Sequence, residues 1–129
     1  MIRLNSIHHI ALICSDYEKS KHFYTAILGL EIMQEVYREE RQSYKLDLAL
    51  NGQYVIELFS FPNPPQRLSR PEATGLRHLA FGVENVNQTR DNLLSQQLIC
   101  EEIRIDEHTQ KRFFFIEDPD GLPIEFYEN

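Results

Sequence analysis

His9-Ile10-Ala11-Leu12 returns as His78-Leu79-Ala80-Phe81, 69 residues further along the chain, and Ile56-Glu57-Leu58 returns as Ile124-Glu125-Phe126, 68 residues further. Near-equal offsets mean that the order of elements repeats as well as the short words, so the chain is a duplicated structural unit. Working outward from the first word, Ser6 to Cys14 is an apolar run rich in β-branched residues and is predicted as a strand. Ser15-Asp16-Tyr17-Glu18 then reads as a capping box, Ser followed three residues later by Glu. Phe23, Tyr24, Ile27, Leu28 and Leu30 supply the helical period, and Gly29 is a helix stop. Strands are predicted near Glu31–Tyr37, Tyr44–Leu50 and Tyr54–Phe61, the last two joined by the tight-turn pair Asn51-Gly52.

The second copy repeats this order. Its first strand is expected over Arg77–Val83, and its helix is capped by Asn85 with Val86, Leu93, Leu94 and Leu98 on the apolar face. Strands follow near Ile99–Ile105, Lys111–Glu117 and Pro123–Tyr127, with Asp118-Pro119-Asp120-Gly121 as a turn. Four of the six prolines fall between the copies. The predicted organisation is therefore one domain, 1–129, made of module 1 (5–61), a proline-rich connector (62–74) and module 2 (75–129). The fold class is α+β, as two tandem βαβββ modules.

Composition narrows the function classes. With 13 Lys+Arg against 20 Asp+Glu, a net charge of −7, there is no basic patch to neutralise phosphates, so nucleic acid is not expected as a partner. No apolar run approaches the roughly 20 residues that span a bilayer. The first residues lack the apolar core of a signal peptide, and Cys14 and Cys100 have no zinc-ribbon or CxxC spacing. The expectation is a cytoplasmic protein with two buried reduced thiols.

Four polar residues stand in apolar strands: His9, Glu57, His78 and Glu125. An unpaired charge in such a place is costly, although simple alternation would put one strand face in solvent. Their joint arrangement argues otherwise, because each module contributes one His from its first strand and one Glu from its last. Modules related by a pseudo-twofold would bring two imidazoles and two carboxylates together, a donor set suited to a first-row divalent ion with positions left for water or substrate. With two waters the site would be octahedral and would suit Ni, Co, Mn or Fe, and Zn binds the same donors. Alternation along the strand puts His8 on the face opposite His9. His22 and His108 read as solvated residues.

These words resemble the vicinal oxygen chelate superfamily, which unites glyoxalases, bleomycin resistance proteins and dioxygenases. The resemblance rests on His9-Ile-Ala-Leu with Asp16, His22-Phe23-Tyr24 before Leu28-Gly29-Leu30, Ile56-Glu57-Leu58, Gly75-Leu76-Arg77-His78-Leu79-Ala80, and Asp118-Pro119-Asp120-Gly121 leading to Glu125. Within the superfamily the chain is similar to glyoxalase I, and most of all to small glyoxalase-like proteins of the YaeR type, through Leu50 to Pro62 and Thr109 to Phe113. The resemblance implies a cupped mixed sheet around a metal site whose ligands are His9, Glu57, His78 and Glu125. A Glu rather than a Gln at position 57 resembles glyoxalase I rather than the epimerases. The implied activity is a metal-dependent lyase or isomerase acting on a 2-oxoaldehyde–thiol hemithioacetal or a related α-hydroxycarbonyl. It would proceed through an enediolate, with Glu125 and Glu57 as the proton-transfer carboxylates. Alternatives of the same superfamily are an epimerase, a thiol transferase or a non-catalytic small-molecule-binding module. The implied partners are a small-molecule substrate and a second copy of the chain in a homodimer, with the site inside one chain or shared by two. Glyoxalase I commonly carries Arg and Asn for glutathione where this chain has Ile13 and Phe61. Arg38, Arg41, Lys45, Lys111 and Arg112 are the cations available to an anionic substrate, and none of them is singled out as a clamp.

Overall fold

In each copy a helix packs on one face of a four-stranded mixed sheet, and the alternation of the strands decides what the other face carries. The computed structural model describes residues 1–129 and divides into two units, Met1–Gln66 and Arg67–Asn129. The first unit contains β1 (Ile10–Cys14), α1 (Tyr17–His22), β2 (Glu31–Arg38), β3 (Ser43–Leu50) and β4 (Gln53–Ser60). The second contains β5 (Leu79–Val83), α2 (Val86–Ser95), β6 (Arg104–Ile105), β7 (Arg112–Glu117) and β8 (Pro123–Glu128). The strand orders are β1-β4-β3-β2 and β5-β8-β7-β6. In both, the first strand runs parallel to the last and the other pairs are antiparallel. This is the α+β, βαβββ order expected from the repeat.

Leu46, Leu48, Ile56 and Leu58 are buried on one face of the first sheet, with Leu12 and Cys14 of β1 and with Phe23 and Tyr24. In the second unit Leu79, Phe114, Ile116, Ile124 and Phe126 are buried together with Val86 and Leu93 of α2. Each such side chain removed from water contributes roughly 1.5–3 kcal/mol before chain entropy is subtracted. The period of two along a strand then turns Glu57 and Glu125 to the sheet face away from the core. The Asn51-Gly52 turn places both residues at positive φ, 51° and 80°, as a two-residue hairpin requires.

Local differences from the sequence-based expectation have physical causes. The helix cap is Asp16, not Ser15, and its carboxylate accepts from Lys19 N at 3.2 Å. A carboxylate gains more than a hydroxyl from the positive end of a helix. The periodic stretch after His22 is not α-helical but forms a π turn, Phe23–Ile27, closed by Leu28 N donating to Phe23 O at 2.9 Å. Ladder formation begins only at Ile10 and Leu79, because β4 and β8 offer partners from Ile56 and Ile124 onward. His9 and His78 therefore sit one residue before their strands.

The strand expected over Ile99–Ile105 shrinks to Arg104–Ile105, preceded by a single bond from Glu101 N to Phe115 O. Ile99 is 92% exposed and adds no burial that would extend the pairing, while Cys100 and Ile103 are half-buried. Leu94, expected on the packed face of α2, is exposed. Neither cysteine is in a disulfide; Cys14 is buried and its thiol donates to Phe59 O at 3.2 Å, while Cys100 is only half-buried. No helix is long and apolar enough to cross a membrane.

Candidate metal centre

Each unit brings one imidazole against one carboxylate by the same register. Ala11 of β1 pairs with Glu57 and Ala80 of β5 pairs with Glu125, so the histidine two residues earlier lies on the glutamate's face. His9 Nε2 stands 3.6 Å from Glu57 Oε1, and His78 Nε2 stands 3.2 Å from Glu125 Oε1. The side chains are alike in exposure, 35% and 31% for the histidines and 16% and 14% for the glutamates. Two donors that share one metal at about 2.0–2.2 Å lie roughly 3.0–3.5 Å from each other, so the His78–Glu125 pair has the spacing of adjacent ligands and the His9–Glu57 pair stands just beyond it. Neither unit by itself gathers three His, Cys, Asp or Glu side chains into a metal cage. Each presents one His–Glu pair.

The surroundings of the two pairs differ. In the first unit Asp47 is the register partner of Glu57. Lys45 Nζ donates to both Asp47 oxygens at 2.9 Å and lies 3.4 Å from Glu57 Oε2. Tyr54 Oη donates to Asp47 Oδ1 at 2.9 Å, and its ring stacks on His9 with centroids 4.8 Å apart and planes 4° from parallel. The Asp47 carboxylate, more than the neighbouring Glu57, holds the Lys45 ammonium protonated above its ordinary range. Burial first, and then the bond to Asp47, pushes the Tyr54 phenol well above its ordinary value.

In the second unit the register partner of Glu125 is Phe115, whose ring meets His78 edge to face at 5.1 Å. Arg104 lies over Phe113 and Phe115, at 4.9 and 5.8 Å from the ring centroids. A cavity of about 890 Å³ opens beside His78 and Phe115, walled by the 67–75 segment and by Gln97–Glu101. That volume accommodates a small organic molecule.

His8, expected on the opposite face, lies instead against the site. Its Nδ1 is 2.9 Å from His9 Nδ1, and its ring meets His9 and Tyr54 edge to face. Strand alternation does not constrain it, because the ladder has not yet begun at residue 8. His22 is exposed on α1, and His108 is exposed in a turn where its N–H donates to Asp106.

Of the candidate cations, Lys45 lies beside Glu57, and Arg38 stacks over Phe59 at 4.8 Å and Phe61 at 5.7 Å. Arg41 covers Phe61, while Arg112 is tied to Asn87 of α2. Lys111 is exposed, and Arg77 pairs with Glu72 at 3.4 Å. Ile13 is 59% exposed on the same face of β1 as Ala11.

Asp47 and Tyr54 are the residues that reading the sequence missed. Their only signal was Lys45 and Asp47 alternating with Leu46 and Leu48 in a strand hairpinned to the one carrying Glu57.

Residues 6–126 match the family model described as the Glyoxalase/Bleomycin resistance protein/Dioxygenase superfamily. The chain is similar to the uncharacterized protein YaeR of Escherichia coli (strain K12), 61% identical over 128 residues that span 99% of each chain. The solved glyoxalase family protein from Enterococcus faecalis has a TM-score of 0.88 at 44% identity, over 95% of this chain and 97% of that one. More distantly, the probable lactoylglutathione lyase of Vibrio cholerae is 28% identical over 130 residues, 95% of this chain and 90% of the relative. With the repeated sheet and its paired His and Glu residues, these matches establish that the chain belongs to the glyoxalase/bleomycin resistance/dioxygenase, or vicinal oxygen chelate, superfamily.

Proposed function

We propose that the protein is a metal-dependent lyase or isomerase of the glyoxalase I type, in which His9, Glu57, His78 and Glu125 hold one divalent ion. The observation that carries this reading is the pair of His–Glu contacts, 3.6 and 3.2 Å, generated twice by one register. A resident Ni, Co, Zn, Mn or Fe ion would hold two neighbouring substrate oxygens and stabilise the negative charge that builds on them. The chain's own work is proton transfer. Glu125 removes a proton from the carbon bearing one oxygen and returns it to the adjacent carbon, and Glu57 stays in place as the opposing carboxylate. Glu125 suits the mobile role because its ionic contact is with His78, whereas Glu57 is held by Lys45 as well as facing His9.

The substrate is a small 2-oxoaldehyde–thiol adduct or a related α-hydroxycarbonyl. Support for the lyase class comes from the named lyase relative. Exposed Ile13 and the Arg-covered Phe61 replace polar residues expected to contact glutathione, which favours a thiol less polar than glutathione. A homodimer, with the four donors drawn from one chain or from two, completes the reading.

Metal analysis of the purified protein, followed by a methylglyoxal–glutathione assay with added nickel, cobalt or zinc, tests it. One divalent ion per site and turnover of a thiol adduct are expected. Glu57→Gln is expected to keep metal while losing most activity. Bound metal without turnover of any thiol adduct would refute the lyase and leave the metal site standing. Full activity in Glu57→Gln would point to an epimerase-like site instead.

A further inference from the structure

The two half-sites, alike in their ligands, differ in charge. Three ionic groups meet in the first: Glu57, Asp47 and Lys45. Asp47 is 8% exposed and spends both carboxylate oxygens on Lys45, one of them also on the Tyr54 hydroxyl. Lys45 is left 3.4 Å from Glu57 Oε2, while Glu57 Oε1 faces His9. Glu57 is thereby split, one oxygen toward the imidazole and the other toward the ammonium. Tyr54 closes the circuit by stacking on His9 while its hydroxyl anchors Asp47. The second half-site has phenylalanine where the first has Asp47. A half-buried ammonium with no second acid beside it would pair with Glu57 alone and offset its negative charge at the metal.

We propose that Asp47 is a positioning residue that neutralises Lys45, with Tyr54 as its anchor, so that Glu57 remains an anionic ligand oriented toward His9. The inference rests on the reading of His9 and Glu57 as metal ligands. With Asp47 in place, the first cluster carries one net negative charge, as does Glu125 in the second, and together they balance a divalent ion. Without it the first cluster is neutral.

The test is zinc(II) titration of the metal-stripped full-length protein in competition with a chromophoric chelator. Asp47→Asn keeps the shape and removes the charge, and is expected to weaken zinc binding about 10–100-fold, the range found for outer-shell partners. The double variant Asp47→Asn/Lys45→Met removes both charges and is expected to recover affinity to within about threefold of the parent. Tyr54→Phe keeps the ring stacked on His9 and is expected to weaken binding in the same direction but less.

Recovery in the double variant is the outcome that a purely structural role for Asp47 would not produce. Parental affinity in Asp47→Asn, or a double variant as weak as the single one, overturns the proposal and leaves the metal reading intact. If Asp47→Asn does not fold, parental affinity in Tyr54→Phe overturns it. Failure of the parent to bind zinc, or binding unaffected by His9→Ala, overturns the metal reading and this inference with it.

Discussion

Replacing Asp118 tests whether the turn after β7 is what delivers Glu125. Asp118 Oδ1 accepts from Asp120 N at 2.8 Å and from Leu122 N at 2.9 Å. Its backbone N–H donates to Leu122 O and its carbonyl accepts from Gly121 N, whose residue stands at φ +82°. These bonds reverse the chain so that Glu117 pairs with Pro123, and Glu125 follows two residues later opposite Phe115. A hydrogen bond to a charged group is worth about 1.5–3 kcal/mol, but here one oxygen serves both donors in a half-buried turn. Asp118→Ala is therefore expected to cost about 2–3 kcal/mol, and Asp118→Asn, which keeps the acceptor, about 1 kcal/mol. For a cooperative unit of about 60 residues, each kcal/mol lowers the melting temperature by roughly 4–8 °C. Asp118→Ala should then melt about 10–20 °C below the parent by circular dichroism. If the alanine variant melts within about 3 °C of the parent, or asparagine costs as much as alanine, the carboxylate is not what holds the turn.

Other outcomes follow from the same structure. His9→Ala is expected to lower metal affinity sharply, whereas His8→Ala should leave stoichiometry unchanged despite the contact between their rings; metal analysis after dialysis decides between them. Glu35 of β2 accepts from Lys21 at 2.8 Å and from Tyr17, and these contacts, Lys21 foremost, hold its carboxyl below the ordinary value of 4.5. A depressed carboxylate stabilises the fold above its unfolded pKa and loses that contribution as pH falls through the folded one. The stability gap between the parent and Glu35→Gln in urea unfolding should accordingly be constant near neutrality and close in acid. A gap that persists or widens below the depressed value would show that the carboxylate charge is not its source.

The duplicated words already carried the order of the elements and the four candidate ligands, because a strand's period of two and a helix's capping chemistry are local properties. His9, Glu57, His78 and Glu125 stood out for a local reason too: ionisable groups at matching places in two pairs of apolar segments need a common explanation. Tertiary structure decided what no local pattern encodes. Register across the β3–β4 hairpin sets Asp47 opposite Glu57, with Lys45 bridging the two. The end of the β1–β4 ladder frees His8 to turn toward His9. Missing burial partners around Ile99 cut β6 to two residues. The candidate ligands were legible because they are a matter of residue type and spacing. Their different surroundings were not, because pairing between strands depends on which residues the folded sheet brings face to face.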